Sequence, residues 1–546
     1  NSLKPWPEEP SEALERLPSE WLNENGKLPS HRRNWQPLPF RIHPNGAVGA
    51  DGLNVAFLPG KFRFCLHCGV SYDRAGGMSD INKVGALGTE GRSSAISMIS
   101  MNTVRRMRKP DMDLPEDAKK MLVFSDNRQD SSLQAGHLND LRFVVALRAA
   151  LHSALREHTV IRGSEIPGRV VDSLHLHSTD FGRNPDAKFA AADEQIRALQ
   201  KAVAYHLHSD LQRGWRLTSP NLEQTGQMKI EYLSLNEIAA DDDTWSSRHP
   251  LLAEASSGTR GRICKTLLDL MRQKLAMNTE ELEKTRQDEL IRLTTDQLKH
   301  PWAIDDPDAM MNSTYAVAMP KSAINDRFVK GLEHITERGG FGRYMMRLLL
   351  EDSELEAPAP AEKRSIIVDL FEALTEVGLL EQTERTPEVT GYRIKSGTIL
   401  WTLGDGIPYR DPIRMAQATE VDLEPNPYFT ELYENASTDK VWSIQAHEHT
   451  AQVPMDEREQ REEMFRNGQL PLLYCSPTME LGIDISDLSV VGMRNVPPTP
   501  ANYAQRSGRA GRSGQPALIF TYCSSGSPHD SHYFRNPMEM VSGKVR

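Results

Sequence analysis

Runs of apolar residues that end in polar or glycine-rich loops mark three segments of the chain. Met121–Phe124, Leu472–Tyr474 and Leu488–Met493 are mostly apolar, which is typical of buried strands. An amphipathic pattern with helical spacing follows the first run and reaches Leu151. Strand, loop and helix in this order predict a parallel sheet, and open sheets of this kind bind ligands beyond the carboxyl ends of their strands. The loops after these runs are therefore the first candidates for a site.

The densest chemistry lies after the second and third runs. Tyr474–Ser513 reads YCSPTMELGIDISDLSVVGMRNVPPTPANYAQRSGRAGRS. Glycine lets a backbone approach a phosphate closely, and arginines about one helical turn apart can contact the same anion. A glycine-rich basic turn on a solvated face is the simpler interpretation of either stretch alone. LGID followed by QRSGRAGR favours a nucleotide site.

These two stretches resemble motifs V and VI of superfamily 2 helicases, which close the second of two RecA-like domains. By this resemblance Arg509 and Arg512 are catalytic arginine fingers that contact the γ-phosphate of ATP and stabilise charge in phosphoryl transfer. The resemblance also implies a set of nucleotide-binding residues: Gly482, Asp484, Gln505 and Gly508.

The loop after the first apolar run resembles motif IV of the same family. It reads FSDNR over Phe124–Arg128 and would begin the second RecA-like domain, facing nucleic acid. The family often has threonine in the loop before motif V, where this chain has Ser476, whose hydroxyl can still donate to a phosphate. The resemblance implies these nucleic-acid contacts: Ser125, Asn127, Arg128, Ser476 and Thr478.

Half of an ATP site is missing from the sequence. No GxxxxGK[ST] phosphate loop occurs, and no DExH-like box follows an apolar strand. ATP and Mg²⁺ would therefore need a first RecA-like domain of the same protein. The chain starts with Asn1, and we expect it to be the C-terminal portion of a larger helicase that is inactive by itself.

The long interval between motifs IV and V predicts an insertion. The expected fold class is α/β, with a second RecA-like domain, a parallel sheet with helices on both faces, split by a large and mainly helical insertion. The expected divisions are an irregular linker (1–60), a knuckle-bearing and helical connector (61–118), the first part of the RecA-like domain (119–150), the insertion (151–439) and the second part of the domain (440–546).

A winged-helix-like module is predicted within the insertion at about 341–404. Helices over Phe341–Glu351 and Glu362–Leu379 precede two alternating strands, Val389–Ile394 and Thr398–Leu403, joined across a turn that starts at Lys395. Such a module either binds duplex or junction DNA or packs as a scaffold on the helicase core. The second helix is acidic, which argues against DNA at that helix; its acids are Asp369, Glu372 and Glu376.

A short cysteine motif is compatible with a zinc site but does not establish one. Cys65 and Cys68 have the CxxC spacing of a zinc knuckle, but a tetrahedral site needs four ligands and no second CxxC follows. Zinc and plain reduced thiols both remain interpretations. Five cysteines in 546 residues, without a disulfide pattern, indicate a reducing compartment.

Charge and hydropathy limit how the chain could bind nucleic acid or a membrane. The net charge is −11, so nucleic acid must bind at local basic surface and not by overall attraction. No apolar run is long enough to span a membrane and no signal peptide is evident, which predicts a cytoplasmic protein. The residues themselves do not distinguish DNA from RNA, since no base-reading or 2′-hydroxyl-reading motif is present; the helicase resemblance implies DNA, with RNA not excluded.

Three longer stretches of the sequence resemble a narrower group of helicases. EGRSSA at Glu90–Ala95, FSDNRQDSSLQAGH from Phe124 and NVPPTPANYAQRSGRAGRSGQPALIFTYCSSGSPHD from Asn495 resemble large bacterial helicases of phage defence, in particular the helicase subunits of DISARM systems. Related DNA-repair helicases are the rival family. The resemblance implies a further defence-system subunit as partner. A motor that translocates on DNA and a non-motor binding or scaffolding module both remain open, and the intact arginines favour the motor.

Overall fold

The computed structural model describes residues 6–7, 9–23, 25–49, 51–60, 63–66, 69–71, 89–212, 219–324, 330–415, 424–476, 488–511, 516–524 and 526–543. The chain divides into two compact units. Unit 1 contains Asn1–Ile81 and Leu151–Thr430, and unit 2 contains Asn82–Ala150 and Glu431–Arg546. No helix among the described residues has the length and apolar character needed to cross a membrane.

The helices of the described residues are α1 (Pro10–Glu15), α2 (Thr89–Met107), α3 (Arg128–His158), α4 (Ile166–Leu174), α5 (Ser178–Phe181), α6 (Ala190–Asp210), α7 (Leu235–Ala240), α8 (Asp242–Trp245), α9 (Pro250–Ala253), α10 (Ser257–Gln273), α11 (Lys284–Gln297), α12 (Gly340–Glu351), α13 (Pro360–Glu376), α14 (Pro427–Asn435), α15 (Met455–Arg466), α16 (Pro500–Ser507), α17 (Pro528–Arg535) and α18 (Pro537–Val541).

The strands are β1 (Leu38–Ile42), β2 (Leu53–Phe57), β3 (Met121–Phe124), β4 (Val160–Arg162), β5 (Met228–Tyr232), β6 (Met277–Asn278), β7 (Tyr315–Val317), β8 (Leu332–His334), β9 (Leu380–Thr386), β10 (Val389–Lys395), β11 (Ile399–Leu403), β12 (Ala446–His449), β13 (Leu472–Cys475), β14 (Val490–Met493) and β15 (Leu518–Thr521).

Unit 2 is built on a five-stranded sheet in the order β12-β13-β3-β14-β15, and all neighbours run parallel. β3 lies at the centre although β13 and β14 come from the far end of the chain. Met121 is in register with Leu472 on one side and with Val490 on the other. Because parallel strands end at the same edge, the carboxyl ends of β3, β13 and β14 lie side by side.

Alternating side chains bury both faces of this sheet. Phe124 and Leu473 join a core that includes Phe465 of α15, with Tyr503 of α16 packed against it. On the opposite face the hydroxyl of Tyr474 donates to Ser100 Oγ of α2 at 3.3 Å. Helices therefore cover both faces, and the predicted RecA-like fold class is confirmed.

The N-terminal segment of unit 1 is more ordered than the predicted linker. Trp21 and Phe64 are buried together with their ring centroids 5.0 Å apart, in a small core shared with Leu17. β1 and β2 form an antiparallel hairpin beside this core. Local proline and tryptophan content indicated an irregular segment. It could not indicate this core, because the core depends on contacts between residues distant in sequence.

Unit 1 contains two further sheets besides its helices. One has the order β6-β10-β7-β8 with β9 paired to β10, and the other has the order β4-β11-β5. α12 and α13 lie close to their predicted positions, and Gly378, with φ of 82°, follows α13 in the left-handed conformation that suits glycine.

The predicted pairing of the wing strands is wrong. β10 forms its hairpin with β9, whereas β11 pairs with β4 and β5 in the other sheet. Ile399 and Trp401 of β11 are each 1% exposed, so their alternation reflects burial of one face of the β4-β11-β5 sheet. An alternating pattern identifies a strand but not its partner.

The acids of α13 make contacts inside unit 1. Arg248 forms ion pairs with Glu372, at 3.1 Å, and with Glu376. The backbone N–H of His249 donates to Asp369 Oδ2 at 2.7 Å. These three acids therefore stabilise packing within the unit, which favours the scaffold interpretation of this module.

Candidate functional site at the carboxyl edge of the unit 2 sheet

Ser125 lies where β3 ends and is 1% exposed. Its hydroxyl lies 2.6 Å from Ser131 Oγ and donates to the carbonyl of Asn127 at 2.9 Å. Its backbone N–H donates to the carbonyl of Cys475 on β13 at 2.9 Å. The hydroxyl is thus engaged inside the protein, and we infer that Ser125 shapes the loop.

Asn127 and Arg128 are exposed at the start of α3. Asn127 Oδ1 accepts the backbone N–H of Asp130 at 2.8 Å, which is the hydrogen bond of a helix N-cap. Its Nδ2 donates to Asp130 Oδ2 at 3.1 Å. The loop is held by these bonds, and Arg128 extends from its exposed side.

Arg494, which directly follows β14, was not predicted as part of the site. It is 4% exposed and forms an ion pair with Asp130 Oδ2 at 2.6 Å. Its backbone N–H donates to the carbonyl of Phe124 at 2.8 Å, and its Nε donates to Gln134 Oε1 at 3.3 Å. Arg494 therefore joins the end of β14 to the motif IV loop and the first turns of α3.

Asp126 and Asn495 join the same two strand ends at the surface. Asn495 Nδ2 donates to Asp126 Oδ2, and Asn495 Oδ1 accepts from Arg92 Nη1 of α2 at 2.8 Å. Burial raises the pKa of Asp126, and the charge of Asp130 raises it further, while the nearby Arg506 lowers it in part. The sequence could have indicated these residues, because polar residues directly after buried parallel strands lie at the ligand-binding edge.

α16 carries the motif VI residues. Thr499 caps its first turn by accepting the backbone N–H of Asn502 at 3.2 Å, and Pro500 occupies the first helical position. Arg506 is 2% exposed, and its guanidinium lies 5.5 Å from the ring centroid of Phe124. Gln505 is partly exposed on the neighbouring position.

The turn that follows α16 places Arg509 near β13. Arg509 is partly exposed and its charge reaches the Cys475 thiol, whose pKa is nevertheless raised by burial. The N–H of Gly508 donates to the carbonyl of Ala504 at 2.9 Å. Gly511, with φ of 70°, donates to the carbonyl of Leu488 at 3.0 Å, which returns the chain to the sheet.

Ser476 directly follows Cys475 and is 1% exposed. The structure thus brings Ser125, Ser476 and Arg509 to one edge of the sheet. The remaining expected residues lie outside the described part of the chain: Thr478, Gly482, Asp484 and Arg512.

The structure gives no support for zinc. The described residues include no group of three or more His, Cys, Asp or Glu side chains that could hold a metal ion. The backbone N–H of Gly69 donates to the carbonyl of Cys65 at 2.8 Å, forming the turn of a knuckle, while Cys68 lies outside the described residues.

The segment that forms this sheet edge is similar in sequence to parts of known proteins. Residues 423–514 match the helicase conserved C-terminal domain. Druantia protein DruE of Escherichia coli is 38% identical over 125 residues, which are 20% of this chain and 7% of that protein. ATP-dependent helicase HRQ1 of Saccharomyces cerevisiae is 40% identical over 86 residues, 16% of this chain and 8% of that protein.

Two further proteins match over short lengths. The uncharacterized ATP-dependent helicase MJ1574 of Methanocaldococcus jannaschii is 43% identical over 67 residues, 12% of this chain and 10% of that protein. The solved structure of S. cerevisiae Dbp5 bound to RNA and ADP BeF3 matches 21% of this chain and 30% of that chain, with 20% identity and a TM-score of 0.17.

The aligned parts span 7 to 10% of the length of these curated relatives, so the matches concern one segment of much longer proteins. They do not address the narrower resemblance to DISARM helicase subunits. The matched segment contains β12, β13, β14 and α16, which form the sheet edge described above. The chain therefore contains a RecA-like sheet and a segment that is similar to the helicase conserved C-terminal domain.

Proposed function

We propose that this chain supplies the second RecA-like half of an ATP-dependent superfamily 2 motor that translocates on DNA. The supporting observation is the position of Arg509, which is partly exposed in the turn that follows α16 and lies near the end of β13. The exposed motif IV loop, with Asn127 and Arg128, lies along the same edge. An anion-binding arginine and a loop with an exposed arginine on one edge suit a motor that couples ATP to a nucleic-acid strand.

The donor set fits one side of a bound triphosphate. Arg509 and Gln505 offer guanidinium and amide donors, which suit phosphate oxygens. The other side, with Mg²⁺, needs a phosphate loop and an acidic box from a first RecA-like domain. Bound ATP supplies the phosphoryl group, and in our proposal Arg509 and Arg512 stabilise the charge that develops on it.

Along the strand, we assign Arg128, Asn127 and Thr478 to backbone contacts, and we assign Ser476, which is 1% exposed like Ser125, to shaping the chain where β13 ends. Phosphate contacts of this kind position a strand without reading its sequence. Gly482 and Asp484 complete the proposed coupling segment. The choice of DNA, a role in phage defence of the DISARM kind and a second subunit rest on the sequence resemblance alone.

A non-motor module that grips nucleic acid without turnover is the alternative function. Such a module has no need of arginines directed at a γ-phosphate. The effect of replacing Arg509 on ATP turnover therefore distinguishes the two functions.

The test uses the complete protein with its first RecA-like domain. Arg509→Ala and Arg512→Ala should each lower kcat for ATP by about 10³-fold, the scale of a lost arginine finger, with much less change in nucleotide affinity. Arg535→Ala, at an exposed position of α17, is the matched control and should leave kcat unchanged. Activity of both finger variants within threefold of the wild type would reject the motor.

A further inference from the structure

The β1–β2 hairpin of unit 1 presents an apolar face to solvent. Side chains alternate along a strand, so Leu38, Phe40 and Ile42 share a face with their cross-strand partners Phe57, Val55 and Leu53. The exposed fractions are 45% for Leu38, 38% for Phe40, 72% for Leu53 and 53% for Phe57. All six residues on this face are apolar, and exposed patches of this kind usually mark an interaction surface.

The other face explains how the hairpin is held. Ala56, on that opposite face, packs against the aromatic core around Trp21 and Phe64. A two-stranded hairpin is marginal in water unless one face packs on something. Ala56 therefore anchors the hairpin, while its neighbours on that face, Pro39, Arg41 and Asn54, are exposed.

Cations gather at the base of the hairpin. Leu38 pairs with Phe57, so the chain enters and leaves at this same end. The guanidinium carbons of Arg32 and Arg63 lie 5.4 and 4.1 Å from the ring centroid of Trp35, and Arg33 is exposed beside them.

The local charge is opposite in sign to that of the whole chain. Among described residues between 25 and 63 there are five Lys or Arg residues and one acid, a net charge of 5 − 1 = +4 against −11 for the chain. The five cations are Lys27, Arg32, Arg33, Arg41 and Arg63, and the acid is Asp51. A polyanion is thus the partner that this segment favours.

We propose that the β1–β2 hairpin is a contact surface for single-stranded nucleic acid. Bases rest on the apolar face around Phe40 and Phe57, whose ring centroids are 6.2 Å apart, and phosphates lie against Arg33 and its neighbours at the base. Unpaired bases are required, since stacking needs a free aromatic face of the base. This surface belongs to unit 1 and is independent of the proposed ATP site, which lies in unit 2.

The experiment measures fluorescence anisotropy of a labelled oligo-dT of about 15 nucleotides with the whole chain at low salt. Phe40→Ala/Phe57→Ala should weaken binding at least tenfold, because each stacked base contributes substantially to affinity. Phe57→Tyr keeps a ring and should stay within twofold. Phe534→Ala, 74% exposed on α17, is the matched control and should have no effect.

A second pair of variants tests the phosphates. Arg33→Glu should weaken binding and reduce the steepness of its salt dependence, whereas Arg197→Glu, at an exposed position of α6, should change neither. Circular dichroism of each variant must match the wild type.

Two outcomes would overturn the proposal. One is oligo-dT affinity within twofold of wild type for both Phe40→Ala/Phe57→Ala and Arg33→Glu. The other is unchanged affinity for Leu53→Asp together with a loss of self-association, which would identify the face as a contact between copies of the chain. Both results leave the ATPase proposal untouched, because its test uses Arg509 and Arg512.

Discussion

Neighbouring residues of the motif IV loop have different roles because their burial differs. Ser125 is 1% exposed and bonded within the loop, whereas Arg128 is exposed three positions later. The same division separates two arginines of motif VI. Arg506 is buried over Phe124, and Arg509, three positions on, is partly exposed near Cys475. Within each motif, burial separates residues that build the edge from residues that can contact a ligand.

Substitutions at these two loop positions should separate stability from binding. Ser125→Ala should lower the free energy of unfolding by about 2 kcal/mol, since it leaves buried partners without their hydrogen bond. Arg128→Ala should leave the melting temperature unchanged and weaken nucleic-acid binding with a smaller salt slope. Thermal melts and anisotropy measure both. Equal effects of the two variants on stability would contradict this assignment.

At the scale of elements, α2 is tied to the segment before β12 by a buried ion cluster. Arg105 donates to Asp439 Oδ2 at 2.8 Å through Nε, and Lys109 lies 2.6 Å from Asp439 Oδ1. The Asp439 side chain is 4% exposed. Burial alone raises the pKa of Asp439, but hydrogen bonds from Lys109 and Arg105 outweigh it, and the pKa lies below its ordinary 3.8.

The sign of this shift predicts a dependence on pH. Folding lowers the pKa of Asp439, so its stabilising contribution is complete above about pH 4 and is lost as the pH falls through the folded-state pKa. Asp439→Asn should cost about 3 kcal/mol at pH 7, because it leaves the buried Arg105 without its charge partner.

Melting temperatures at pH 7 and pH 3 measure this prediction. The difference between the wild type and Asp439→Asn should shrink at the lower pH. Asp111→Asn, in the exposed pair with Arg106, is the control and should have no measurable effect at either pH. A constant difference between wild type and Asp439→Asn across this range would show that the charge is not the cause.

The α13 module yields a prediction of no effect. Its acids are paired with Arg248 and His249, so we infer that the module packs as a scaffold. Lys395→Glu, at the exposed end of β10, should therefore change duplex affinity less than twofold. Arg248→Glu should instead lower the melting temperature. A large loss of duplex binding in Lys395→Glu would restore the wing as a DNA contact.

At the scale of the whole molecule, the chain holds the arginine side of the proposed ATP site and its sequence lacks a phosphate loop. The purified chain should therefore show no ATP turnover, with or without DNA. It should still bind nucleic acid weakly, and that affinity should fall steeply between low and moderate salt, because phosphate contacts release counterions. Malachite-green assays and anisotropy measure the two properties. Robust hydrolysis by the chain alone would reveal a catalytic site elsewhere.

The sequence alone predicted the features that local chemistry determines. Apolar runs marked β3, β13 and β14, and the glycine and arginine pattern marked α16, because strand burial and anion-binding residues leave signals within a few positions. The fold class of unit 2 follows from these signals and is confirmed. Its site residues in the described part remain predictions of function, although their common edge is now known.

Only the tertiary structure decided which distant segments meet. β10 and β11 are neighbours in sequence but belong to different sheets, and Arg494 reaches the motif IV loop from the far end of the chain. The burial of Ser125 likewise depends on Cys475 of β13. Strand pairing and burial depend on which surfaces the whole chain brings together, and the spacing of residues along one segment does not contain that information.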